Sequence, residues 1–137
     1  MNKYSKFMII ASMVTLPLLA IGGDQSIASP IIRKPLLTAL IDGEKTIQRV
    51  EIKEINFAAQ QKTGLHLHPC PVVGYIVEGT VTFQVDGQAV QSLKAGDAFY
   101  EPANTKILRF DANDDKVKFI AYYLLGKDDH DLIKMLK

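Results

Sequence analysis

Residues 64–102 read GLHLHPCPVVGYIVEGTVTFQVDGQAVQSLKAGDAFYEP, and this stretch decides the fold. His66 and His68 stand two apart, so on an extended strand both imidazoles aim at one side. Beyond them, residues 74–77 and 80–85 alternate apolar and polar side chains. Glu78-Gly79 between them is a hairpin signal, and Asp86-Gly87 is a stronger one. Residues 88–93 return, Lys94-Ala95-Gly96-Asp97 turns, and residues 98–101 form a short strand stopped by Pro102.

The same period of two extends outward. Residues 47–52 read as a half-buried strand, with Ile55 and Phe57 resuming after a bulge. Residues 107–110 and 117–125 continue the series. Ile31-Ile32 and residues 36–41 can supply an additional N-terminal strand, with Pro30 and Pro35 suiting an edge or a crossing between subunits. Residues 129–137 look helical, with Leu132, Ile133 and Leu136 on one side. Many short strands divided by turns imply an all-β antiparallel sandwich or barrel ending in a short C-terminal helix.

At 137 residues the chain has room for one ordinary domain, and 47% hydrophobic residues argue against general disorder. Sixteen basic residues against fifteen acidic ones leave a formal charge of +1, with no excess to recruit nucleic acid or an anionic membrane. The N-terminus carries Lys3 and Lys6, then the apolar run FMIIASMVTLPLLAI over residues 7–21, which is short for a spanning helix. Small residues follow it, as in a secretory signal. Ser26-Ile27-Ala28 gives cleavage before Ser29, Ala20-Ile21-Gly22 is a second site, and an uncleaved anchor is the alternative. We therefore expect a signal peptide over residues 1–28, a domain over 29–137 with its barrel core at about 47–125, and a periplasmic or secreted location. Cleavage removes two lysines and one aspartate, bringing the formal charge to zero. Cys70, the sole cysteine, has no intramolecular disulfide partner.

Imidazole suits divalent zinc, copper, iron or nickel, and two such donors on one strand make half of a typical site. His66-Leu67-His68 followed by Gly74-Tyr75-Ile76-Val77-Glu78-Gly79 resembles the first motif of the cupin superfamily. Gly96-Asp97-Ala98-Phe99-Tyr100-Glu101-Pro102 resembles its second. The resemblance implies a small single-domain jelly roll (a double-stranded β-helix), commonly dimeric, with a pocket in the barrel mouth. It places His66 and His68 at the first two metal-ligand positions. The family's glutamate falls on Val72 and its third histidine on Ile107, neither of which can donate, and Asn104 stands where the motif usually has glycine.

Other side chains are candidates to complete the site. Cys70 lies two beyond His68, although Pro69 and Pro71 bend the chain around it, and a small buried hydrophobe is the alternative. Glu101 shares a strand face with Phe99. Arg109 shares parity with Ile107, so it either faces the cavity, paired with Glu101, or lies at the surface beside Asp111. Tyr75 joins Arg109 and Glu101 as a ligand-binding candidate, while Tyr75, Tyr100, Tyr122 and Tyr123 otherwise read as core or barrel wall. His130 belongs to a solvated charge run. No catalytic residue is assigned.

Two functions follow. One is a metal-dependent enzyme of the dioxygenase or isomerase type, holding Zn, Fe, Mn, Ni or Cu at His66 and His68 with Glu101 or Cys70 as substitute ligand. The other is a non-catalytic module that binds or senses a small ligand and has lost the full metal site. The expected partners are a small molecule and a second copy of the chain. Nucleic acid is not among them, and no stable membrane anchor remains after signal cleavage.

Overall fold

The structure, a computed structural model, describes residues 29–137; the signal segment expected over residues 1–28 lies outside the described residues. Lys34–Lys137 form one compact unit. Its nine strands are β1 (Arg49–Phe57), β2 (His66–Leu67), β3 (Val72–Glu78), β4 (Thr80–Val85), β5 (Gln91–Lys94), β6 (Ala98–Glu101), β7 (Ile107–Ala112), β8 (Val117–Leu125) and β9 (Lys134–Met135). They form two antiparallel sheets, ordered β1-β8-β3-β6 and β5-β4-β7-β2-β9. This is the expected all-β jelly roll.

A cluster of phenylalanines fills the space between the sheets. Phe57, Phe99 and Phe119 come from one sheet, and Phe83 and Phe110 from the other. The ring centroids of Phe110 and Phe119 are 4.8 Å apart, and those of Phe99 and Phe110 are 5.0 Å apart in an edge-on arrangement. Burying each such ring contributes roughly 1.5–3 kcal/mol. Gly74 makes this packing possible. It stands in register with Phe99, and a Cβ there would run into the Phe99 ring and come within 2.7 Å of the Ile120 carbonyl oxygen.

Several local expectations change. Glu78-Gly79 does not close a hairpin, because β3 and β4 belong to different sheets. Gly79, at φ 82°, is where the chain crosses between them. Asp86-Gly87 does join a paired β4 and β5. The pairing of β1 with β8 runs unbroken from Arg49↔Leu125 to Phe57↔Val117, so the expected bulge is absent. Continuous alternation puts Ile55 and Phe57 against the core and turns Val50 and Ile52 outward, 48% and 61% exposed. Among the described residues, 29–48 carry no strand, so the additional N-terminal strand is not formed.

The C-terminal helix is also absent: residues 129–137 contain β9 instead. Nine residues are too few for a helix to stand on its own propensity, so tertiary partners decide. Here the free edge of β2 offers them. Met135 pairs with His66, Lys134 pairs with Leu67, and the Leu136 amide donates to the Leu65 carbonyl at 2.9 Å.

Candidate metal centre

His66 lies on β2 and His68 just past its end, and both are buried, at 2% and 4% exposure. Each ring is fixed by a backbone carbonyl. The Nδ1–H of His66 donates to Gly64 at 2.8 Å, and the Nδ1–H of His68 donates to Leu132 at 2.6 Å. These bonds set the tautomers and leave each Nε2 for other work.

Glu101 ends β6 and is 4% exposed. It stands directly opposite Val72 in the pairing of β3 with β6. Cross-strand partners project from the same face. A carboxylate is therefore delivered beside the position where the family pattern expects one, but from the neighbouring strand. Its Oε2 is 3.0 Å from His68 Nε2.

Electrostatics separates the two imidazoles. Burial pushes His66 below the ordinary histidine value, which keeps it neutral with a free lone pair on Nε2. Burial would also lower His68, but the hydrogen bond and charge of Glu101 outweigh it and raise the ring above the ordinary value. Protonated His68 then donates from both nitrogens, to Leu132 and to Glu101.

Among the described residues, His66, His68 and Glu101 form a group of metal-capable donors with all ligand atoms within 4.8 Å of one another. Donors about 2.1 Å from a metal and at right angles lie about 3.0 Å apart, the separation His68 and Glu101 already have. Two imidazoles anchored through Nδ1 and one carboxylate thus suit a divalent transition metal, which would displace the proton that His68 Nε2 shares with Glu101. Ile107, fully buried and in register with His66, adds no donor.

The group opens into a cavity of about 210 Å³. Thr63 and Tyr123 complete its polar side; Ile55, Phe57, Phe110, Phe119, Ala121 and Ile133 make its apolar wall. Thr63 donates its hydroxyl proton to the Phe110 carbonyl at 2.8 Å. Burial, aided by the Glu101 charge, pushes the Tyr123 phenol up to about 12, so it stays protonated.

Other sequence candidates lie elsewhere. Arg109 is exposed and pairs with Asp111 at 3.2 Å, not with Glu101. The cause is a bulge: Gln84 pairs with Arg109 but Val85 pairs with Ile107, leaving Leu108 extra and reversing the parity that linked Arg109 to Ile107. Tyr75, 38% exposed, borders a separate groove with Leu36, Leu37 and Tyr122 and does not line the cavity. Cys70 is buried in the hydrophobic core outside the donor group, and its thiol is pushed up to about 11, chiefly by burial. His130 is exposed. Tyr123 was legible from the sequence, because it shares the odd-numbered parity of Val117, Phe119, Ala121 and Leu125 on β8.

Asn104 accounts for one departure from the motif. At φ 55° it takes the left-handed conformation that asparagine tolerates better than most residues, and its amide donates to the His68 carbonyl at 2.7 Å. It thus fills the glycine's place and its backbone tethers the segment that carries His68.

Comparison with known proteins agrees with this architecture. A cupin-like protein from Thermotoga maritima superposes with TM-score 0.55 at 21% identity, over 64% of each chain. A DMSP lyase from Ruegeria pomeroyi gives TM-score 0.57 at 16% identity, over 63% of this chain and 42% of the lyase. Oxalate decarboxylase from Bacillus subtilis gives TM-score 0.57 at 15% identity, over 64% of this chain and 24% of the decarboxylase. The aligned region thus spans less than half of either enzyme. A search of curated proteins by sequence finds no match. The cupin-domain family profile matches residues 53–121, half of the sequence, and on that match this chain belongs to the cupin family.

Proposed function

We propose that this chain is an exported cupin that holds a divalent transition metal on His66, His68 and Glu101 and acts on a compact ligand by dioxygenase- or isomerase-type chemistry. The observation that carries this reading is the convergence of the three buried donors at the polar end of the cavity. Three protein ligands leave further coordination positions open, where a bound metal polarises a ligand oxygen as a Lewis acid or supports redox chemistry. The similar lyase and decarboxylase folds are compatible with this, although at their identities they speak for the fold alone.

The chain's own residues define what the cavity accepts. Its volume of about 210 Å³ equals that of about seven waters in the liquid, enough for a small molecule of a few heavy atoms. The apolar wall excludes water and holds a short hydrocarbon body, while the protonated Tyr123 hydroxyl can donate a hydrogen bond to a ligand oxygen. With Arg109 outside, Lys and Arg contribute nothing to the lining, which favours a ligand with one oxygen-bearing head over a dianion. Export and a homodimer complete the proposal, supported by the N-terminal sequence and by the family resemblance respectively.

Metal analysis of protein purified without a histidine tag tests this reading, with the His66→Ala/His68→Ala double variant as control. We expect about one metal per chain, lost in the variant. Metal-free protein that still binds a small molecule would support the non-catalytic alternative instead.

A further inference from the structure

The route of residues 132–136 past the donor group has no counterpart in the sequence motifs. Three contacts tie it there: the Leu132 carbonyl accepts from His68 Nδ1 at 2.6 Å, Met135 pairs with His66, and Ile133 forms part of the cavity wall. The segment has a fixed root, since Arg49 donates to the Asp129 carbonyl at 3.0 Å and the Asp129 carboxylate accepts from the Gly126 amide at 2.8 Å. His130 and Asp131, both exposed, join root and segment. Beyond them little apolar surface is buried: Leu132 and Leu136 are half-buried, while Ile133 and Met135 are 44% and 55% exposed. A two-residue strand with so few buried contacts opens at low cost.

We propose that residues 132–136 are a strap that positions His68 and closes the cavity, and that its order is coupled to metal occupancy. This rests on the metal reading above. Compared with the neutral ring, a metal cation on Nε2 draws electron density from the imidazole and strengthens Nδ1–H as a donor to Leu132. By linkage, the carbonyl that fixes the ring strengthens metal binding by the same factor. Release of the strap would move Ile133 away and open the cavity beside the metal, giving a small ligand a way in.

The test uses Co²⁺ as probe on chelator-treated, tag-free protein. Amide hydrogen exchange over residues 132–137 is followed with and without Co²⁺. Co²⁺ affinity is measured for the full chain, for Leu136→Pro, which removes the amide bonded to Leu65, and for a chain ending at Asp131. We expect Co²⁺ to slow exchange at Leu136 by at least about tenfold and both variants to bind about 10–100-fold more weakly. Equal affinity in folded variants, or unchanged exchange on loading, overturns the strap alone. A full chain that binds no Co²⁺ overturns the metal reading and the coupling with it. Should both variants fail to fold, exchange in the full chain decides by itself.

Discussion

Replacing Glu101 with glutamine removes one buried negative charge while keeping the side chain's size. In the metal-free protein Glu101 is what holds His68 above the ordinary value of 6.5 against the effect of burial. A hydrogen bond to a charged group contributes about 1.5–3 kcal/mol, and its loss moves the His68 pKa down. Only the Leu132 carbonyl then opposes burial, and the ring titrates below its wild-type value. A histidine whose folded pKa is raised stabilises the fold below its unfolded pKa, and this stability fades as pH rises through the folded value. The wild type should therefore exceed Glu101→Gln in unfolding free energy by about 1.5–3 kcal/mol at pH 5.5, and by less at pH 8.5. NMR titration of the imidazole protons and urea unfolding of chelator-treated protein measure both quantities. If His68 titrates alike in the two proteins, or the stability gap widens toward pH 8.5, the proposed pairing is wrong.

Further outcomes follow from the structure. Gly74→Ala should cost about 1–3 kcal/mol in urea unfolding, because the new methyl meets the Phe99 ring and the Ile120 carbonyl, and the latter is backbone. At Asn104, at φ 55°, glycine should be neutral or slightly stabilising, while alanine should cost up to about 1 kcal/mol because it lacks the short polar side chain that lets asparagine tolerate this conformation. Cys70 should resist thiol reagents in the native protein at pH 8, because its pKa of about 11 keeps it protonated within the core. Being raised from 9.0, the Cys70 pKa implies roughly 3 kcal/mol of stability that is present below pH 9 and lost as pH rises through 11, readable from unfolding curves across that range.

Much of the fold was legible because hydrophobic alternation survives in β4, β6 and β8, where one face is buried apart from the half-buried Tyr123. Parity gave His66, His68 and Glu101 correctly as residues that face inward. It failed at Arg109, because a bulge adds one residue at Leu108 and leaves no mark in composition or spacing. It failed at Val50 and Ile52 because apolar residues occupy both faces of β1, so the pattern does not say which face is buried. The end of the chain misled for another reason. Leu132, Ile133 and Leu136 fit helical spacing, but the open edge of β2, which no local pattern reveals, draws them into a strand. Glu101's pairing with His68 likewise depends on the register of β3 with β6, a long-range property.

The most direct test of the account is a crystal structure of protein loaded with one equivalent of Co²⁺ or Zn²⁺, recorded at the metal's absorption edge. The account predicts one anomalous peak at about 2.0–2.3 Å from His66 Nε2, His68 Nε2 and a Glu101 carboxylate oxygen, with both Nδ1 atoms still bonded to Gly64 and Leu132. A peak elsewhere, with His68 Nε2 still 3.0 Å from Glu101, would contradict it.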